Sequence, residues 1–394
     1  MPNDKLSPIL FLGTQMAVGG SQHVLLTLAR WFHQHEYRVV VAFLYDRDGL
    51  YQQWRSTEPF PVINLEAKPA KSGILSFYGF LQGIFRLYRL MIRERFTVVT
   101  TFTHHSNLVG IPLAMLAGIP VRVAAHRGRI EKFPPWLERL HGLMINSVTT
   151  NCLLANSKHV RDQAIALESI KPEKIVVIPN GIGSEFRLTA KNTLFNGVSV
   201  TVVRQKTREI LEVSPQAQLL LSVGRLTDQK GHIYLVDAMP YVLKRFPDTL
   251  VLLVGDGSAR QGLEKRVREL GIGSAVRFLG TRTDIPALLA AADLFVLPSI
   301  SEGMPNALLE AMGMGVPVLA SSLGCVKEVV THGETGYLVS TRDARALGES
   351  IVCLLENMDL RMRLGKAGRE LVEKKYTLEQ MCESYERVFK QFKR

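Results

Sequence analysis

The sequence predicts an α/β protein of two doubly wound domains, with parallel sheets facing a central cleft. Three observations lead there. The chain has 394 residues, too many for one ordinary core and suited to two domains. Short apolar, β-rich runs alternate with helical patterns of ten to fifteen residues, the signature of βαβ units. That series occurs twice.

In the first series the strands fall at Ile9–Gly13, Arg38–Phe43, Val98–Phe102, Arg122–Ala125, Ser147–Ala155 and Lys174–Ile178. Helical patterns such as Ser21–His35 and Trp136–Met144 lie between them. In the second, the strands are Leu219–Gly224, Thr249–Gly255, Val276–Leu279, Leu294–Pro298, Val316–Ala320 and Gly336–Val339. The join lies between Pro179-Asn180-Gly181 and Leu219, with a lead-in helix at Val202–Val213. After Thr341 the pattern is wholly helical. The expected bounds are 1–185 together with 376–394 for one domain, and 186–375 for the other.

Composition narrows the class. Charged residues at 21% and hydrophobic ones at 46% suit a soluble globular chain. The apolar run Ile9–Leu12 is too short for a signal peptide, and Arg86, Arg89 and Pro120 interrupt the longest membrane-span candidates. Cys152, Cys325, Cys353 and Cys382 are scattered with no C-x-x-C and no histidine at metal spacing, so they read as reduced thiols of a cytoplasmic protein without zinc.

The net charge of +12 is uneven: residues 1–200 hold 22 Lys and Arg against 13 Asp and Glu. An anionic partner of the first half is implied. No nucleic-acid signature accompanies the charge, so nucleic acid is not expected. An anionic membrane surface fits better, through Phe77–Phe96, where Arg86, Arg89, Arg93 and Arg95 interleave with aromatic residues. The segment reads either as an interfacial helix lying peripherally on the inner face of the plasma membrane, or as a domain helix with a solvated basic face.

Open parallel sheets take ligands at the carboxyl ends of their strands, and the informative residues sit there. Gly19 and Gly20 follow the first strand and open a helix, letting the backbone approach an anion; a plain tight turn is the other reading. Arg225 and Lys230 follow the strand ending at Gly224, and two cations so placed suit a diphosphate, although a solvated loop would also hold them. Residues Pro298–Met312 run from a strand through Pro305 into a helix whose first N–H groups suit a phosphate. Glu302 and Glu310 sit over different parts of one ligand, the first at a hexose and the second at a ribose, and the other reading of Glu310 is a structural first-turn acid facing the helix dipole. Paired carboxylates also serve glycoside hydrolysis, but the phosphate-binding features beside them favour an activated donor. A D-x-D motif holding a divalent metal is not expected in this chain.

At these motifs the sequence resembles the family 4 (group 1) retaining glycosyltransferases, whose fold is a pair of Rossmann-like domains. The matching residues are GRL-x3-KG at Gly224–Gly231, VGDG at Val254–Gly257 and LPS-x3-EGMPNALLEAM at Leu297–Met312. Pro179–Ile182, Ala155–Lys158, Gly315–Pro317, Glu328 and Thr335–Val339 add to the match, which is close over 150–340 and looser before. One departure is Gly183, where the family's N-G-[IV]-D carries a carboxylate.

The resemblance implies roles. Arg225 and Lys230 would neutralise the diphosphate, Glu302 hold sugar hydroxyls and Glu310 the ribose. The amides of Gly303, Met304, Asn306, Ala307 and Leu308 would complete the phosphate cradle. The family's N-domain histidine falls on His126, a catalytic residue that would face the sugar and the acceptor across the cleft, with His104 and His105 as rivals for that role. The C-terminal helix Leu378–Phe392 resembles the family's crossover helix, which packs back on the N-domain. The implied reaction is hexosyl transfer from a UDP-sugar or GDP-sugar to a glycan or lipid-linked hydroxyl, in polysaccharide or glycolipid assembly. It needs no cofactor and no metal, because the cations stabilise the leaving diphosphate. A nucleotide-sugar 2-epimerase of the same fold and a non-catalytic sugar-nucleotide binding protein are the alternatives.

Overall fold

The computed structural model describes residues 6–67, 74–128, 133–187, 194–195 and 198–393, with backbone alone at 74–76 and 194–195. The chain divides into two compact units, residues 1–179 with 381–394, and residues 180–380.

The first unit holds a seven-stranded parallel sheet in the order β3-β2-β1-β4-β5-β6-β7. Its strands are β1 (Ile9–Met16), β2 (Val39–Asp46), β3 (Val62–Asn64), β4 (Val98–Phe102), β5 (Val121–His126), β6 (Cys152–Ala155) and β7 (Ile175–Val177). Helices α1 (Gly20–Gln34), α2 (Tyr51–Thr57), α3 (Ile74–Glu94), α4 (His104–Leu116), α5 (Pro135–Asn146) and α6 (Lys158–Glu168) connect them. Ile9 to Leu12 and Val98 to Thr101 are wholly buried, because a parallel sheet is covered by helices on both faces. Ile9–Leu12 in β1 and Val39–Leu44 in β2 therefore read as unbroken apolar runs.

A two-stranded antiparallel hairpin, β8 (Leu194–Phe195) and β9 (Val198–Ser199), precedes α7 (Val200–Ile210). The second unit's six-stranded parallel sheet runs β12-β11-β10-β13-β14-β15. Its strands are β10 (Leu219–Val223), β11 (Leu250–Val254), β12 (Val276–Gly280), β13 (Leu294–Leu297), β14 (Val318–Ser321) and β15 (Tyr337–Val339). Its helices are α8 (His232–Arg245), α9 (Arg260–Glu269), α10 (Ile285–Ala291), α11 (Asn306–Gly313), α12 (Gly324–Lys327), α13 (Ala344–Glu356) and α14 (Met358–Lys375), and α15 (Leu378–Phe392) follows them in the chain. Asp293 ties α7 to this sheet: it accepts from Arg204 at 2.5 Å, from Arg208 at 3.2 Å and from the Leu219 amide at 2.7 Å.

Residues 180–185 group with the second unit. Asn180 donates to the Met304 carbonyl at 3.2 Å, and Ile182 exchanges backbone bonds with Tyr376 and Leu378, each at 2.9 Å. From Met381 onward α15 groups with the first unit. There the Tyr37 hydroxyl donates to Glu386, and the Phe389 ring lies 5.6 Å from that of Phe32.

Ser147–Ala155, read as one strand, is a strand only from Cys152. The Ser147 and Thr149 hydroxyls each donate to the Met144 carbonyl at 2.8 Å, holding that stretch at the end of α5. The four cysteines are free thiols, with Cys353 alone exposed.

Candidate active site

The second unit gathers its charged residues at the carboxyl ends of β10 and β13. After β10 the chain turns through Gly224-Arg225-Leu226, backed by the loop after β11. Gly224 donates to Val254 and Leu226 to Asp256, both at 2.9 Å. Gly255, at φ 131°, lies against that turn: a Cβ there would stand 2.0 Å from the Gly224 carbonyl oxygen. The V-G-D-G sequence is thus the support that fixes Arg225, whose side chain is exposed.

Lys230 ends a short 3-10 turn, and Gly231 then adopts φ 63° before α8. A Cβ on Gly231 would lie 2.1 Å from the Pro298 carbonyl oxygen, so glycine is required where the two loops meet. Gln229 joins them: its carbonyl accepts from the Ile300 amide at 2.8 Å, and its amide donates to Ser301 at 3.1 Å. Lys230 Nζ consequently reaches Glu302 Oε1 at 2.6 Å, with the Ser299 hydroxyl donating to the same oxygen at 2.8 Å. The Glu302 side chain is 8% exposed and that of Lys230 20%.

Pro305 is the N-cap of α11, and no side chain caps that helix. Asn180 donates to the Asn306 side-chain oxygen at 2.6 Å as well as to Met304, anchoring the turn that presents the first amides. Ala307 is half-buried; Gly303 and Leu308 are buried. Glu310, on the same helix, is half-buried. Burial, then the nearby Glu185 carboxylate, pushes its pKa up to about 7. Glu185 also revises the expectation at Gly183: a Cβ on that glycine would meet the Glu185 carboxylate at 2.2 Å. A neighbouring glutamate therefore fills the space where a side chain at 183 would begin.

In the first unit Gly20 begins α1, which has no side-chain cap, and the Val18 amide donates to Asp48 at 3.1 Å. Asp46-Arg47-Asp48 is a D-x-D sequence at the end of β2, yet its carboxylates are spent on backbone. Asp46 accepts from Leu50 at 3.0 Å and from Tyr51 at 2.9 Å, and Asp48 holds the glycine turn.

His126, the last residue of β5, is turned inward and 3% exposed. Its Nε2 meets Glu168 Oε1 at 2.9 Å, as does Nε2 of His104. His141 Nδ1 donates to Glu168 Oε2. The tautomers follow from the surrounding bonds. The Gly128 amide donates to His126 Nδ1 at 3.3 Å, leaving the proton on Nε2. Thr101 donates to Asn107 Oδ1 at 2.6 Å, and Asn107 Nδ2 then donates to the Ala125 carbonyl at 3.1 Å and to His141 Nε2 at 2.9 Å. Three imidazoles therefore meet one carboxylate. Burial opposes ionisation of Glu168, but the three N–H donors outweigh it and hold its pKa well below the ordinary carboxylate value. Burial lowers the His104 and His141 pKa values, with the Glu168 hydrogen bond opposing each shift.

This cluster had no sequence signal, since its members come from α4, β5, α5 and α6. Ligand atoms of His104, His126 and Glu168 lie within 4.8 Å of one another, close enough for a metal ion. A metal-bound imidazole, however, offers its other N–H to an acceptor, whereas His126 Nδ1 faces a donor. The set is closed as hydrogen bonds. The charged residues Arg225, Lys230, Glu302 and Glu310 thus fall within the second unit; Gly19, Gly20 and His126 belong to the first.

Residues 203–371 match the family described as glycosyl transferases group 1, and residues 18–186 match Glycosyltransferase Family 4. The chain is 28% identical over 286 residues to the UDP-Gal:alpha-D-GlcNAc-diphosphoundecaprenol alpha-1,3-galactosyltransferase of Escherichia coli, covering 69% of this chain and 70% of that protein. It is 29% identical over 236 residues to the lipopolysaccharide core biosynthesis glycosyltransferase LpsE of Rhizobium meliloti, covering 60% and 63%. The crystal structure of HepE from Anabaena in complex with UDP and glucose superposes with a TM-score of 0.83 at 23% identity, over 97% of this chain and 99% of that one. The chain belongs to the group 1, family 4 glycosyltransferases, built on two Rossmann-like domains.

Proposed function

We propose that this enzyme moves a hexosyl unit from a UDP-sugar to the hydroxyl of a lipid-linked glycan, with retention of anomeric configuration and without a metal. The observation that carries the reading is the Lys230–Glu302 pair at 2.6 Å, beside exposed Arg225 and the uncapped start of α11. UDP is favoured over GDP because the Escherichia coli relative is named for UDP-Gal and HepE was solved with UDP. The lipid-linked acceptor rests on the same relative, named for a GlcNAc-diphosphoundecaprenol.

In this reading Arg225 and Lys230 take the diphosphate, with the amides of Gly303, Met304, Asn306, Ala307 and Leu308 completing its cradle. Lys230 serves two anions at once, so the donor sugar's hydroxyls meet Glu302 where the lysine holds it. Glu310 takes the ribose diol. Within the first unit, Gly19 and Gly20 leave the first turn of α1 without a side-chain cap and open to an anion. The acceptor oxygen bonds to the anomeric carbon on the face from which the diphosphate departs. The carbon–phosphate-oxygen bond breaks, and the leaving phosphate oxygen takes the acceptor's proton. The protein supplies positioning and charge stabilisation. His126, oriented by Glu168 at 2.9 Å, is the first unit's candidate for the family's histidine role.

Peripheral attachment to an anionic, cytoplasmic membrane face belongs to the same proposal. No helix among the described residues is long and apolar enough to cross a membrane. On α3, Phe77, Tyr78, Leu81, Phe85 and Ile92 are exposed, and the Arg89 guanidinium lies over the Phe85 ring at 5.8 Å. Arg86 and Arg93 are paired with Glu66 and Glu94, so attachment depends more on the apolar row than on the arginines. A panel of UDP-, GDP- and ADP-sugars with purified protein tests the donor assignment: turnover confined to UDP-sugars supports it, and turnover of GDP-sugars alone overturns it.

A further inference from the structure

A short run of hydrogen bonds at the start of α11 has its polarity fixed from one end. The Met304 carbonyl can only accept, so the side-chain atom bonded to it at 3.2 Å is the amide nitrogen Nδ2 of Asn180. The same nitrogen lies 2.6 Å from the side chain of Asn306, 126 positions away, which therefore turns its oxygen to Asn180. Asn306 Nδ2, with its N–H groups, is left facing away from that bond. Among the described residues none bonds to Asn306 Nδ2. Asn180 is 4% exposed, while Asn306 is half-buried. We propose that Asn180 is a positioning residue, which sets the Asn306 side-chain amide to donate to the diphosphate of the sugar donor. The proposal rests on the nucleotide-sugar reading above.

The direction of the free end follows from the helix. Asn306 is the first residue of α11, and the Cα–Cβ bonds of an α-helix tilt toward its N-terminus. Leu309 donates to the Pro305 carbonyl at 3.4 Å, so the amides of Asn306, Ala307 and Leu308 precede the helical ladder. Pro305, the N-cap, has no side chain that could accept from them. The Asn306 side chain thus projects toward the end that three backbone donors already face.

Orientation is what matters there. The two ends of a side-chain amide are nearly alike in shape, so only a hydrogen bond selects one arrangement. With the oxygen turned toward the helix end, Asn306 would set a partial negative charge against an anion. With the oxygen held by Asn180, it sets two N–H groups there. Asn180 is itself held: its backbone amide donates to Met304 Sδ at 3.1 Å, and Ile182 is bonded to Tyr376 and Leu378 at 2.9 Å. The side chain at 306 is therefore oriented before a donor arrives, as Lys230 is by Glu302.

Side-chain amide NMR of the full chain tests this, with the Asn306 signals assigned by Asn306→Ala. Saturation with UDP should shift the Asn306 pair, and uridine, which lacks the diphosphate, should not. By calorimetry Asn306→Ala, which keeps the backbone amide, should weaken UDP about fivefold, as for one hydrogen bond. Asn180→Ala should weaken UDP by a similar factor alone, but by less than about twofold in the Asn306→Ala background, because it acts through that amide. A residue that merely held the loop would lower affinity equally in both backgrounds. If Asn180→Ala does not fold, the wild-type spectra and Asn306→Ala decide. An Asn306 pair unmoved by UDP, wild-type affinity in Asn306→Ala, or full additivity of the two substitutions overturns the inference and leaves the donor reading standing. A wild type that binds neither UDP nor GDP sinks both.

Discussion

Lys230 and Glu302 stand 72 positions apart in sequence and 2.6 Å apart in the fold. The cation expected at a diphosphate is already partnered, so it is oriented before any donor arrives. Lys230→Ala should cut hexosyl transfer by about two to three orders of magnitude, the usual loss on removing one charge-stabilising group. Initial rates at saturating donor measure this. Wild-type rates would place the phosphate elsewhere.

Glu310 gives a prediction in which stability and function separate. Its pKa is raised from the ordinary 4.5 to about 7, chiefly by burial. The folded state therefore binds more protons than the unfolded one, and stability falls as pH rises from about 4.5 to about 7. Glu310→Gln removes that cost. The variant should melt above wild type at pH 8, with the difference gone by pH 4.5, yet bind UDP more weakly. Melting curves at the two pH values with UDP calorimetry test this; equal melting temperatures at pH 8 would contradict it.

Glu168→Ala leaves three buried imidazole N–H groups without their acceptor. At about 1 kcal/mol or more for each, the first unit should lose at least about 3 kcal/mol, roughly 10 °C in its melting transition. The Glu168 pKa is held below the ordinary value, so its stabilisation is present above about pH 4.5 and lost as pH falls. The gap between wild type and variant should accordingly be full at pH 7 and shrink only in acid. A gap unchanged down to pH 3 would show that the carboxylate's charge is immaterial.

Membrane attachment should respond to the apolar row on α3. Phe77 and Phe85 are 56% and 59% exposed. Phe77→Ser with Phe85→Ser should release the protein from anionic vesicles in co-sedimentation at low salt, and high salt should weaken the wild type as well. Equal recovery of wild type in the supernatant with neutral and anionic vesicles would leave a soluble acceptor as the better reading.

What was legible in the sequence was what is local. Gly224–Gly231 and Leu297–Met312 are strand–loop–helix corners in which glycine, cation and carboxylate lie within a few residues, so their pattern identifies the fold. The meeting of the two corners through Gln229, Gly231 and Pro298 is only implied. Distant partners were not legible at all. Glu66 takes Arg86 out of the basic face of α3, and Glu185 fills the space beside Gly183. Glu168 collects three histidines from three other elements. Such clusters have no periodicity, because each member is set by a different element.

Transfer from a UDP-hexose at the Lys230–Glu302 site with retention is tested most directly by NMR of the glycosylated product formed from UDP-galactose and GlcNAc-diphosphoundecaprenol, by wild type and by Lys230→Ala. The expected product is the α-linked sugar from the α-configured donor, formed by wild type and nearly absent with the variant. A β-linked product, or full activity in Lys230→Ala, would contradict it.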